Sequence, residues 1–346
     1  MKQQPKHILV LRLSAMGDVA MCVPVLQAFR QQYPAIKITV LTKAFFKPIV
    51  EQIPGVSVKL AKVKTEHKGL GGLVNLATTL RKEVAFDAVA DLHNVLRTKV
   101  LGAVWQLYGI NLEKINKGRA EKKALTASKN KNFKALKTTH QRYAEVFEKL
   151  GFPVDLSTKI EKQRLQVPAA VKKHLDAEKK WIGFAPFAAH KAKMYPLDLS
   201  EKIIALLVKN PNYEIILFGG GKKETPELER LAKTHSNVHF FGKNCSFEEE
   251  LQLVSNLELM LSMDSGNGHL AAMFQVPVIT LWGATHPYAG FAPFGQPTEN
   301  QFLPDREKYP LLPTSIYGNK EVAGYENVMR DIEPEKVIER IKEIIE

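Results

Sequence analysis

Apolar residues in this chain fall into short runs of strand length, divided by stretches where they recur at helical spacing. HILVLRL at 7–13 is such a run, and the turn-rich break SAMGD at 14–18 follows it. Val19, Val23, Leu26 and Phe29 then mark one face of a helix over 19–33, and KITVLTK at 37–43 is a second strand. Strands are predicted at 56–63 and 86–93, with a helix at 70–83 between them and another at 140–150. The second half repeats this logic. It gives a strand at 179–187, a helix at 199–209, a strand at 213–221 ending in three glycines, and a helix at 226–234. A short strand at 238–243, a helix at 247–256, a strand–loop–helix at 257–274 and a strand at 277–283 come next. A connector rich in Pro, Gly and aromatics covers 284–330, and an amphipathic helix opened by Pro-Glu closes the chain at 334–345. The alternation predicts the α/β class, as two parallel-sheet halves joined near 151–178. Ligands of such sheets bind beyond the carboxyl ends of the strands. Polar and glycine-rich residues cluster at those points: 14–18, 91–97, 185–193, 219–224 and 264–269.

Composition narrows the class. With 346 residues, 45% hydrophobic and 25% charged, the chain can bury two cores and is no disordered protein. Its two cysteines, Cys22 and Cys245, form no CxxC, which argues against a disulfide framework or a cysteine zinc site. The apolar stretch at 7–29 is broken by Arg12 and Asp18, lacks the order of a signal peptide and is too interrupted to span a bilayer. A cytoplasmic protein is expected, one that could at most sit on a membrane. The net charge of +13 is uneven: residues 1–150 hold 26 Lys and Arg against 10 Asp and Glu, and the remainder 23 against 26. That asymmetry points to an anionic partner (nucleic acid, a membrane surface or a phosphorylated substrate) or to a lysine-rich surface that only aids solubility.

Four segments could carry chemistry. In SAMGD, Gly17 permits a tight turn and Asp18 puts a carboxylate at the start of a helix, either as a general base or as a group favoured by the helix dipole. The segment is not GxGxxG, and the chain has no GxxxxGK[ST], which removes the dinucleotide fingerprint and the ordinary P-loop. In FGGGKKE at 218–224, Gly219 and Gly220 let backbone approach a ligand, Lys222 and Lys223 add charge, and Glu224 could accept from ribose hydroxyls. In MDSGNGH at 263–269, Ser265 and Gly266 can offer donors to phosphate at a helix N-terminus, with Asp264 before them and His269 on the first turn. It has too few neighbouring ligands for a metal and no GxSxG. PFAAHKAKMYP at 186–196 places Lys191 and Lys193 in a loop after a strand, where a lysine can neutralise a diphosphate.

Taken in order, ILVLRLSAMGDV at 8–19, KMYP at 193–196, LFGGG at 217–221 and MDSGNGHLAAMFQVPVITLWGAT at 263–285 resemble the glycosyltransferase family 9 heptosyltransferases. These are the ADP-heptose transferases that build the inner core of lipopolysaccharide, and the resemblance runs over nearly the whole chain. It implies a GT-B architecture, two Rossmann-like parallel-sheet domains facing across a cleft. Residues 1–165 would bind the acceptor and 166–325 the nucleotide sugar, with 326–346 a C-terminal helix that could pack back on the N-terminal domain. By position, Asp18 matches the family's proposed catalytic base, with Ser14, Met16, Gly17 and Arg97 as acceptor contacts. Lys193 matches the lysine on the diphosphate, and Asp264, Ser265, Gly266 and His269 match the donor loop. Gly219, Gly220 and Glu224 complete the donor site. Two features depart from the pattern: some members carry hydroxyl residues where this chain has Ala188 and Ala189, and the connector at 311–329 has none of the cysteines seen there in some members.

The resemblance implies an inverting, metal-independent transfer of a heptose from ADP-heptose to the lipopolysaccharide inner core, with no cofactor beyond the ADP-sugar as substrate. The partners implied are a nucleotide sugar, an anionic lipid-linked oligosaccharide and an anionic membrane surface, met by a monomer inside a Gram-negative cell. A different nucleotide sugar or acceptor on the same fold is the alternative. A nucleic-acid-binding protein is less well supported, because the lysine-rich stretch 117–137 holds one aromatic, Phe133, and no recognition module. No nucleic-acid partner is therefore expected, and the excess charge reads better as a docking surface for a lipid-embedded acceptor.

Overall fold

The structure, a computed structural model, describes residues 4–346. The chain divides into two units, one from residues up to 117 with 139–160, the other from 118–138 with 161–346.

The first unit is built on β1 (His7–Leu11), β2 (Lys37–Thr42), β3 (Val56–Leu60), β4 (Ala88–Asp91) and β5 (Asn111–Lys114), all parallel, in the order β3-β2-β1-β4-β5. Its helices are α1 (Met16–Ala20), α2 (Cys22–Gln32), α3 (Lys47–Val50), α4 (Gly69–Glu83) and α5 (Leu96–Leu107). Strands buried on both faces need near-continuous apolar sequence, which β1 has from Ile8 to Leu11. Leu9, Leu11 and Leu13 pack with Leu73, Leu76 and Leu80 of α4 and Leu101 and Trp105 of α5. The helix expected over 19–33 is two helices, α1 and α2, meeting at Met21. The pattern also left α5 and β5 unread. Helix α5 carries leucines on its solvent side as well as its buried side, which blurs the 3.6-residue period, and β5 is a short, half-exposed edge strand of sequence NLEK.

After β5 the chain passes through 118–138, with α6 (Arg119–Leu125), which groups with the second unit, and returns as α7 (Thr139–Lys149). Rings of Phe29 and Phe147, centroids 4.8 Å apart, join α2 to α7. The lysine-rich stretch is thus not a free surface arm. Lys131 Nζ donates to Leu125 O and Pro313 O at 2.9 Å, Leu136 N to Tyr288 O, and Arg306 stacks on Phe133. This reassigns charge. The first unit carries 20 Lys and Arg against 10 Asp and Glu, and the second 29 against 26, so part of the N-terminal excess belongs to the second unit.

The second unit comprises α8 (Ala169–Lys172), β6 (Lys180–Ala185), α9 (Leu197–Leu207), β7 (Tyr213–Leu217), α10 (Thr225–Ala232), β8 (Val238–His239), α11 (Phe247–Ser255), β9 (Leu259–Met263), α12 (Gly266–Met273), β10 (Val278–Leu281), β11 (Gln301–Phe302) and α13 (Pro334–Ile345). Its sheet is parallel, in the order β11-β10-β9-β6-β7-β8. Two parallel-sheet, Rossmann-like α/β units of this kind place the chain in the GT-B fold class. The terminal helix α13 buries Val337, Ile338 and Ile341 in the core of the second unit with Ile203, Ile204 and Leu207 of α9, and Lys202 pairs with Glu335 at 2.6 Å. It therefore belongs to the second unit. Its apolar stripe packs against the buried residues of α9, and that burial anchors it.

Candidate active site

Each sheet has one topological switch point, where consecutive crossovers turn to opposite sides and leave a crevice at the carboxyl ends of the strands. In the first unit it lies between β1 and β4, where Leu11 pairs with Asp91; in the second it lies between β6 and β9, where Ala185 pairs with Ser262.

At the first switch point Arg12 follows β1 and is buried. Its Nη2 lies 2.5 Å from Asp18 Oδ2, its Nη1 donates to Leu92 O at 2.6 Å, and its guanidinium stands 5.8 Å from the Tyr143 ring centroid. A buried guanidinium needs a counter-ion, and Asp18 is it. Asp18 Oδ2 also accepts from the Ala15 N–H at 3.2 Å, and the Asp18 carbonyl accepts from Tyr143 Oη at 3.3 Å. The carboxylate is thus fixed from one side and still 29% exposed. Ser14 Oγ lies 3.4 Å from His93 Nε2, whose Nδ1 accepts from the Leu13 N–H. Burial, with Arg12 and Lys117 nearby, drives the His93 pKa down to about 3. His93 is neutral near pH 7 and a poor proton acceptor. Met16 and Gly17 open α1, half-buried, and Arg97 is exposed on the first turn of α5. Sequence reasoning singled out Arg97 but not Lys43 and Lys64, which follow β2 and β3. Burial, with repulsion from Arg97 and Lys64, lowers the Lys43 pKa.

At the second switch point the structure brings together Lys193 and Asp264, 71 residues apart. Lys193 Nζ lies 3.1 Å from Asp264 Oδ2, with both side chains largely buried. The lysine loop is fixed by the Ala284 N–H on Ala192 O at 2.8 Å. Its alkyl stem runs against Gly318, which has φ +76° and where any Cβ would collide with Lys193 Cγ. Ser265 takes the N-cap position of α12 without a side-chain capping bond, and Gly266 and His269 lie on its first turn. The Ser265 and Thr285 hydroxyl oxygens are buried and lack a hydrogen-bond partner among the described residues. Buried hydroxyls are nearly always bonded, so these two are places for a ligand or water atom. Thr285, which carries no motif signal, follows Ala284 in the segment after β10 that anchors the lysine loop. It puts a hydroxyl near the site although Ala188 and Ala189 offer none. Gly268 allows α12 to seat on β9, since a Cβ there would lie 2.7 Å from Ser262 Oγ.

The glycine loop follows β7. Gly219 and Gly221 take φ +143° and +93°, which side chains rarely adopt. Glu224 turns back so that its Oε2 accepts from the Gly220 N–H at 3.0 Å. Gly219 and Gly220 line a cavity of about 700 Å³ that also meets Lys222, Phe240, Phe241 and Glu250. Burial pushes the Glu250 carboxyl up to about 7. Glu250 carried no motif signal; helix α11 and the folded β8 loop bring it to this wall.

Chemically, the second unit offers a lysine, a helix N-terminus and a glycine-walled cavity, the components of a phosphate and nucleoside site. The first offers a half-buried carboxylate fixed by a buried arginine. The family model for glycosyltransferase family 9 (heptosyltransferase) matches residues 74–312. The lipooligosaccharide heptosyltransferase 2 of Haemophilus influenzae is 27% identical over 98% of this chain and 99% of its own length. Among solved structures, a glycosyl transferase family 9 protein from Veillonella parvula superposes with a TM-score of 0.74 at 17% identity, covering 98% of this chain and 97% of that one. The ADP-heptose lipopolysaccharide heptosyltransferase II of Escherichia coli superposes with a TM-score of 0.67 at 18% identity, over 98% of each chain. These structures share the fold, and the matched segment holds Lys193, the glycine loop and the Asp264 loop. The chain belongs to glycosyltransferase family 9, the heptosyltransferase family.

Proposed function

We propose that this glycosyltransferase moves a heptose from ADP-heptose to an acceptor hydroxyl of the lipopolysaccharide inner core, with inversion at the anomeric carbon. The second unit holds the donor and the first the acceptor. The observation that carries the donor half is the Lys193–Asp264 pair at a switch point beside the Ser265 cap. Asp264 holds the ammonium in place, and a diphosphate oxygen adds to it as a second anionic partner. The Ser265 hydroxyl and the first N–H groups of α12 supply further donors to the phosphates, and Glu224 binds a ribose hydroxyl.

In the reaction the acceptor oxygen attacks the anomeric carbon and gives its proton to Asp18, while the bond from that carbon to the diphosphate oxygen breaks and ADP departs. Lys193 and the α12 N–H groups stabilise the charge that gathers on the leaving phosphate. Similarity to the Haemophilus and Escherichia coli heptosyltransferases supports both the sugar and the acceptor class. The test is transfer from ADP-heptose to an acyl-free inner-core oligosaccharide, with UDP-, GDP- and other ADP-sugars as competing donors. Turnover only with a donor other than ADP-heptose would replace the donor assignment. The anomeric configuration of the product, read by NMR, reports inversion.

A further inference from the structure

Among the large apolar side chains of the second unit, Tyr317 is the most open to solvent: it is 60% exposed, against 37% for Tyr288 and 36% for Leu303. One exposed aromatic is ordinary on a protein surface, but this one is carried on a fixed frame beside the proposed donor lysine. The Thr314 and Ser315 N–H groups donate to Ala284 O at 2.9 and 3.2 Å, and the Ala284 N–H donates to Ala192 O. Ala284 thus ties the tyrosine segment to the lysine loop. Ser315 is buried, and its Oγ accepts from the N–H groups of Tyr317 at 3.3 Å and Gly318 at 2.9 Å. Gly318 in turn presses on the Lys193 stem, so the Tyr317 backbone stands one residue from that contact. The Tyr317 ring has the Phe291 ring as a neighbour, with 6.1 Å between centroids, and Lys122 Nζ lies 4.0 Å from the centre of the Phe291 ring.

Strand order decides on which side of Lys193 this frame lies. Strands β7 and β8 are on one side of the β6–β9 pair, and β10 and β11 on the other. The glycine loop and its cavity follow β7, whereas Ala284 and the segment bonded to it follow β10. A nucleotide sugar carries its nucleoside and its sugar at opposite ends of the diphosphate. With the nucleoside in the glycine-walled cavity and the diphosphate at Lys193, the sugar extends toward the β10 side. We propose that Tyr317 is a sugar-binding residue whose ring stacks on the C–H face of the transferred heptose. A pyranose shows C–H bonds on a face and hydroxyls at its rim, and those C–H bonds suit the negative face of an aromatic ring. A heptose is uncharged, so the cations that serve the diphosphate do not select it, and a ring already held by its backbone loses little freedom on contact. The inference rests on the donor assignment proposed above and names the group that recognises its sugar.

The test is calorimetric titration of ADP and of ADP-heptose into the wild type, Tyr317→Ala and Tyr317→Phe. Tyr317→Ala should bind ADP as the wild type does and ADP-heptose about threefold to tenfold more weakly, the scale of one aromatic contact. Tyr317→Phe keeps the ring and should match the wild type with both ligands. Unchanged ADP-heptose affinity in Tyr317→Ala overturns the proposal. So does a loss shared equally by ADP and ADP-heptose, which would mean that Tyr317 acts only through Lys193. A loss in Tyr317→Phe as large as in Tyr317→Ala assigns the contact to the hydroxyl and overturns the stacking. A wild type that binds no ADP-heptose overturns the donor assignment itself, a failure visible before any variant is compared.

Discussion

Arg12 and Asp18 form a buried-to-open ion pair: the guanidinium is 7% exposed and the carboxylate 29%, with 2.5 Å between Nη2 and Oδ2. The arginine is locked by Leu92 O behind it, so it orients the carboxylate from the protein side. Asp18→Asn keeps the size and loses the proposed base. Turnover should fall by about a hundred- to ten-thousandfold with the affinity for ADP unchanged. Arg12→Lys, which keeps a charge but not the fork of donors, should lower kcat and leave the donor KM in place. Steady-state kinetics with calorimetric ADP binding check both, and near-normal turnover of Asp18→Asn would remove the assigned role.

Lys193→Ala takes away the ammonium and leaves Asp264 buried in the proposed donor site without its partner. ADP affinity should drop by about tenfold to a hundredfold, the scale of one charge-assisted hydrogen bond. Because lysine and helix N-terminus supply the positive charge in this scheme, transfer should also survive exhaustive chelation with EDTA. Unchanged ADP affinity in the variant takes Lys193 out of the site.

Gly318 lies far from Lys193 in sequence and presses on its stem. A side chain there meets both a left-handed backbone and the lysine, so Gly318→Val should displace the ammonium and weaken ADP by a similar factor to Lys193→Ala. In the background of Lys193→Ala the same substitution should cost little further affinity. Additive losses would mean that Gly318 acts by another route.

Glu250 gives a pH dependence of stability with a definite sign. Burial raises its carboxyl from the ordinary 4.5 to about 7. Between those values the unfolded chain has released the proton and the folded chain has kept it, so stability falls as pH rises across that window, by about 2 kcal/mol after allowance for the open side of its cavity. Below the window both states are protonated and the cost vanishes; above it the full cost persists. Glu250→Gln should flatten the decline and raise the melting temperature most at pH 8. Calorimetric melts from pH 4 to 8 check this, and parallel profiles for the two proteins would refute it.

Much of the architecture was legible from pattern alone. The strands around 7–13, 37–43, 213–221 and 277–283 and the helices around 70–83 and 334–345 are where periodicity placed them, with ends trimmed by a few residues. What escaped has physical causes. Strand β5 is too short and polar to show a buried face. Helix α5 hides its period because Leu96 and Leu107 are exposed while Leu101 and Trp105 are buried.

The sequence by itself determined the two parallel α/β layers and the loops that carry chemistry, because strand and helix periods and glycine positions are local properties of the chain. Asp18, Lys193 and the 263–269 segment were marked in this way. Only the tertiary structure decided which of these groups meet. Arg12 turns to Asp18, Lys193 to Asp264, Gly318 to the lysine stem, and residues 118–138, which hold most of the lysine-rich stretch, to the second unit, through Pro313, Tyr288 and Arg306. Such pairings depend on strand order and on the space left between side chains, quantities set by long-range packing that leave no periodic trace in the chain.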